Sequence, residues 1–164
     1  RGMTSPVIEK VSAADWALDR SLFPFAGGGM TPVFALTDGL ATSWELPDDK
    51  TFIFHIRPGV KWHNRAPTNG RTLTADDVVF QYHRLLGNLL EGNEFSEDEK
   101  SPVAGALGMF PWDSIEATDD LTMVMKMKSP APYVALQNIL DSNRLGVLSP
   151  EVIREKATQR IGGT

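Results

Sequence analysis

No cysteine occurs anywhere in the chain. That excludes a disulfide framework, a thiolate metal site and a cysteine nucleophile. The sequence also has no apolar run near the ~20 residues that a bilayer-crossing helix needs. Basic residues are in the minority: sixteen Lys and Arg stand against twenty-one Asp and Glu, for a formal net charge of −5. Such a field repels nucleic acid and anionic lipid, which are recognised through clustered Lys and Arg, so neither is expected as a partner. The opening Arg1-Gly2-Met3-Thr4-Ser5-Pro6 is followed by no apolar stretch of the signal-peptide kind. An exported form would therefore carry a signal that is cleaved or absent from this sequence. What is present is a globular composition, 41% hydrophobic and 23% charged over 164 residues. This suits one ordinary domain or a piece of a larger protein.

Local patterning is clearest in the middle of the chain. Over Thr51–Arg57, Phe52, Phe54 and Ile56 share one face while Thr51, Ile53, His55 and Arg57 share the other, the period of two of a pleated strand. Pro47-Asp48-Asp49-Lys50 before it is turn chemistry. A second strand is expected over Leu121–Lys128, where Leu121, Met123, Met125 and Met127 alternate with Thr122, Val124, Lys126 and Lys128. The methionine stripe suits a core face, since Met fills irregular gaps well. Between these strands, Thr74 and Asp77 form an acidic variant of a capping box. Val78, Tyr82, Leu85 and Leu89 recur on one helical face, with Gly87 or Gly92 as the stop. Further helices are expected from Pro132 and from Ser149-Pro150-Glu151, where a cap, a first-turn proline and an early carboxylate coincide.

The remaining segments are less regular. Gly27-Gly28-Gly29 lacks a following Lys-Ser or Lys-Thr and reads as a turn, not a phosphate loop. Glu91–Lys100 reads as an acidic exposed loop. Ser101–Trp112 mixes Pro, Gly and Ala with Met109, Phe110 and Trp112 and keeps neither period. Apolar residues in such a segment either pack as a lid over the core or line a pocket.

A search for catalytic chemistry finds no defensible set. His55, His63 and His83 form no His-Glu-x-x-His pair and have no carboxylate at a recurrent ligand spacing, which favours structural roles. A metal-dependent enzyme would need all three to converge in the fold. Ser43 lacks the Gly-x-Ser-x-Gly elbow of a hydrolase. The pairs Asp48-Asp49, Asp76-Asp77 and Asp119-Asp120 fall at turns or a helix start and are accounted for there. No nucleophile, base and orienter come together. No metal, cofactor or catalytic residue is expected.

The order of motifs carries more. Gly39-Leu40-Ala41-Thr42-Ser43-Trp44-Glu45, then Asp48-Asp49, then the run from Thr51 to His63 ending Arg57-Pro58-Gly59-Val60-Lys61-Trp62-His63, resemble the signature of one family, as does Leu73-Thr74-Ala75-Asp76-Asp77-Val78-Val79-Phe80. Ile115–Asp120, Ser149–Ile153 and Gly162-Gly163-Thr164 continue it in the same order. The family is the peptide/nickel class, family 5, of extracytoplasmic solute-binding proteins of ABC importers. The resemblance runs from about Thr37 to the end; the loop Asn64–Arg71 is longer than is usual in the family.

The resemblance implies an α/β fold, a mixed sheet with flanking helices, forming part of the first lobe of a two-lobed periplasmic-binding-protein-like architecture. Full members are much longer, which makes this an expected N-terminal fragment. Residues 1–36 would be a lead-in from the main part of lobe one, 37–148 its small α/β subdomain, and 149–164 the return. The implied role is capture of peptides or similarly sized solutes outside the cytoplasmic membrane, with or without a lipid anchor, and delivery to the permease subunits by a monomer. Nothing in the signature is itself a ligand-contact motif. From position and chemistry alone, Phe25, Met109, Phe110 and Trp112 are the candidate ligand contacts. A metal-dependent enzyme using the three histidines, or an adaptor docking a protein through Met109–Trp112, are the alternatives.

Overall fold

The structure, a computed structural model, describes residues 9–23, 31–87, 95–96, 99–100, 108–130, 132–141 and 146–162. The triple glycine, Phe25, and most of the acidic and irregular segments between 88 and 107 lie outside the described residues. In chain order, β1 (Ser12–Ala14) pairs antiparallel with β2 (Leu36–Asp38), which a 3-10 turn at Val33–Ala35 precedes. Then come β3 (Ala41–Glu45), β4 (Thr51–Ile56), helix α1 (Ala75–Leu86), β5 (Trp112–Asp119), β6 (Thr122–Met127), α2 (Pro132–Asp141) and α3 (Pro150–Gly162). The last four strands form one antiparallel sheet in the order β3-β4-β6-β5.

The alternation in the sequence sets this sheet's two faces. Phe52, Phe54 and Ile56 of β4 are buried, as are Met123, Met125 and Met127 of β6. Register sets Phe52 opposite Met125 and Phe54 opposite Met123, so aromatic and thioether side chains meet across the strands. Burial of each such side chain contributes about 1.5–3 kcal/mol. Ile53, His55, Val124 and Lys126 occupy the opposite, wetter face. The strand over 51–57 stops one residue early, at Ile56, because Pro58-Gly59 turns the chain and Gly59 takes φ +75°.

Helix α1 closes the core over β5 and β6 with Val78, Tyr82 and Leu85 fully buried. It begins as expected: the Asp77 carboxylate accepts the Thr74 backbone N–H at 3.2 Å, and it ends at Gly87, whose φ is +56°. Burial also pushes the Tyr82 phenol well above its usual pKa, and its hydroxyl donates to the Ile139 carbonyl of α2 at 3.3 Å. Ser12 Oγ donates to the Leu140 carbonyl at 2.8 Å, tying α2 to β1. At the start of α3, Ser149 Oγ accepts the Val152 N–H at 3.3 Å, the cap that Ser-Pro-Glu announces.

Strand β5 is the element the sequence concealed. Its pairing with β6 shifts register between Trp112 and Ser114 and again between Ala117 and Asp119. Its buried side chains, Trp112 and Ile115, consequently stand three apart and break the period of two.

Gly39 lies where backbone meets backbone. A Cβ there would stand 2.4 Å from the Lys10 carbonyl oxygen and 2.9 Å from Ser12 Cα. Beside it, the Leu40 and Ala41 N–H groups donate to the Lys10 and Val11 carbonyls at 2.7 and 2.9 Å. Gly39→Ala is therefore expected to push the N-terminal strand off the sheet and to cost about 1–3 kcal/mol in chemical denaturation.

Candidate functional surfaces

The nominated aromatic segment divides sharply at its end. Phe110 and Trp112 are 8% and 4% exposed and belong to the core, whereas Met109 is 74% exposed. The Trp112 ring meets Phe110 and Phe52 edge to face, with centroids 6.0 and 6.3 Å apart. Two of the four nominated residues thus shape the layer from inside, one projects outward, and Phe25 lies outside the described residues.

The histidines go to separate places. His55 Nε2 sits 2.6 Å from Glu45 Oε1 on the neighbouring strand. His83 Nε2 donates to the Ile115 carbonyl at 2.8 Å, binding α1 to β5. His63 is exposed, and its carbonyl accepts the Thr68 hydroxyl at 3.0 Å. Among the described residues no three His, Asp or Glu side chains gather in a group fit to hold a metal.

Among the described residues, the densest polar site is one that local sequence patterning does not single out. The loop after Trp62 is closed by Trp62 N–H donating to the Arg71 carbonyl at 3.0 Å and by the Lys61–Thr72 bridge. Arg71 then stands between two helix starts. Its Nη1 and Nη2 donate to Asp77 Oδ2 and Oδ1, both at 2.7 Å. Its Nε and Nη2 donate to Glu151 Oε1 and Oε2 at 2.5 and 2.8 Å, and Nη1 also reaches the Thr72 carbonyl at 3.1 Å. All five guanidinium N–H donors are thereby occupied. Trp62 Nε1 donates to Asp77 Oδ2 at 3.0 Å, and the guanidinium lies 5.9 Å from the Trp62 ring centroid. Hydrogen bonds donated to Asp77, then to Glu151, push the Arg71 pKa further up, and the Arg71 hydrogen bond pulls Glu151 down. This arrangement fixes elements together.

Other carboxylates are held low by turns. The Lys50 backbone N–H lowers Asp48, the Leu121 backbone N–H lowers Asp119, and the Ser96 hydroxyl lowers Glu99. Groups whose folded pKa is depressed stabilise the fold above their unfolded pKa and lose that contribution as pH falls through the folded one. Melting temperature is accordingly expected to be level down to about pH 5 and to fall progressively below about pH 4, in a thermal-melt series.

Near the start of the chain, three large apolar side chains point outward. Trp16, Leu22 and Phe34 are 67%, 66% and 65% exposed. Asp15 and Asp19 shape the turns that carry Trp16 and Leu22, each accepting a backbone N–H two residues on, at 3.0 and 2.8 Å. Phe23 meets Phe34 edge to face at 6.3 Å, and the Arg20 guanidinium lies 5.3 Å from the Trp16 ring centroid. Sequence patterning does not mark these side chains as exposed, because their segment keeps no period.

Comparison with known proteins puts this layer in context. Residues 35–157 match the family described as bacterial extracellular solute-binding proteins, family 5 Middle. The dipeptide-binding protein of Escherichia coli (strain K12) is 54% identical over 48 residues, 28% of this chain and 9% of that protein. The periplasmic oligopeptide-binding protein OppA of Haemophilus influenzae (strain ATCC 51907 / DSM 11121 / KW20 / Rd) is 32% identical over 113 residues, 60% of this chain and 18% of that protein. Among solved structures, the ABC transporter-associated periplasmic binding protein DppA from Helicobacter pylori, in complex with peptide STSA, matches with a TM-score of 0.61 at 24% identity. That match covers 96% of this chain and 28% of the other, and it shows the shared fold. The chain spans less than a third of the length of each of these relatives, which are named as binding proteins and not as enzymes. With the sheet, α1, α2 and the start of α3 all inside the matched stretch, the chain belongs to the bacterial extracellular solute-binding proteins, family 5.

Proposed function

We propose that this chain supplies part of the first lobe of a solute-binding protein that captures peptides outside the cytoplasmic membrane and hands them to the permease of an ABC importer. The observation that carries the reading is the family match over residues 35–157, joined to relatives named for dipeptides and oligopeptides. The geometry supports it. The polar groups resolved here hold strands, turns and helix starts together, as a scaffold requires, and a binding protein works through shape and closure between lobes. Residues 37–148 would form the small α/β subdomain, with 1–36 and 149–164 joining it to the main part of lobe one. Solute contact is proposed at Met109, whose exposure supports it, and at Phe25, with Phe110 and Trp112 shaping the surface from the core. The protein would act as a monomer without a cofactor, in the periplasm or on a lipid anchor.

Deletion of the gene in its host tests this reading. Growth on dipeptides or tripeptides as the sole source of a required amino acid is expected to fail, and growth on the free amino acid to continue. Undiminished use of every peptide supplied, in a strain with no second importer of this kind, would count against it.

A further inference from the structure

We infer that α3 is a detachable element, latched to the rest of the layer through the Arg71–Glu151 half of the five-bond site, while the Arg71–Asp77 half stays closed. The two halves differ in reach and in setting. Asp77 is 3% exposed and lies six residues from Arg71; besides the guanidinium it receives the Trp62 indole N–H and the Thr74 backbone N–H. Four donors thus converge on one buried carboxylate from residues 62–74. Glu151 lies 80 residues from Arg71, is partly open to solvent, and belongs to the first turn of α3. Water can replace Arg71 on the Glu151 side at little cost, but not on the Asp77 side.

Among the described side chains the apolar grip on α3 is thin, so such a joint matters. Ile153 and Ala157 are its buried apolar side chains among those described, and the Arg154 guanidinium rests 5.4 Å from the Phe80 ring centroid on α1. The core cluster that takes in β4, β5 and β6 includes neither Ile153 nor Ala157, so it persists when α3 lifts. Local opening of this kind is drawn from elements with few buried contacts. The inference does not depend on what the protein binds.

Native-state hydrogen exchange on the full chain tests it, read as the ratio of rates in α3 to rates in β4 and β6. Glu151→Gln should raise that ratio about three- to tenfold, the range expected for a partly exposed paired charge. In an Arg71→Gln background, Glu151→Gln should add nothing further. A ratio unchanged by Glu151→Gln would overturn the latch, because α3 would then open only with the sheet or without regard to the pair. So would an equal rise in the Arg71→Gln background, which would trace the effect to the helix end and its dipole.

Discussion

Trp112→Ala is expected to destabilise the chain by about 3–5 kcal/mol, the loss typical of a large aromatic removed from a packed core. Trp112 is 4% exposed and lies against Phe110 and Phe52, and its strand position is opposite Met127. Truncation opens a cavity beneath the edge of the sheet that the neighbouring rings, themselves fixed in edge-to-face contacts, cannot fill without leaving those contacts. Met109→Ala, three residues away and outward-facing, should change stability by less than about 0.5 kcal/mol. Urea denaturation of both variants checks the contrast. Equal, small effects would mean that the segment before β5 does not belong to the core.

The second large effect is at Asp77. Asp77→Ala should cost about 2–4 kcal/mol, because one carboxylate serves three purposes. It accepts the Thr74 N–H at the start of α1, seats the Arg71 guanidinium, and pairs the Trp62 indole N–H. Its loss leaves the indole donor without that acceptor and Arg71 with Glu151 and the Thr72 carbonyl alone. Trp62→Phe, which removes the indole N–H and keeps an aromatic ring beside Arg71, should cost about 1 kcal/mol. If Asp77→Ala were no worse than Trp62→Phe, the clamp would contribute nothing beyond one hydrogen bond.

The parts of this fold that were legible are those where a local rule ran unbroken. Phe52-Ile53-Phe54-His55-Ile56 keeps a period of two over its whole length, and β4 follows it. The Met123, Met125 and Met127 stripe is core as its spacing implies, and Thr74 with Asp77 starts α1 as a capping box. Legibility failed where geometry departed from the rule. Two register shifts in β5 spread Trp112 and Ile115 three apart, so the segment lacks the period of two that marks a strand. Distance in sequence hid the rest. Asp77 and Glu151 were each explained by their own helix ends, and nothing local says that Arg71 bridges them across 80 residues. The family signature was legible for a different reason: it depends on order and identity along the chain, which folding does not alter.

Among all these expectations, one titration bears most directly on the proposed role of scaffold in a peptide-binding protein. Calorimetry would compare the product of the native reading frame with the isolated 164-residue chain, using the same panel of dipeptides, tripeptides and longer peptides. The account predicts saturable binding of at least one peptide by the former, at micromolar Kd or tighter, and no measurable heat with the latter. Tight binding by the isolated chain would contradict it, as would a native product that binds no peptide in the panel.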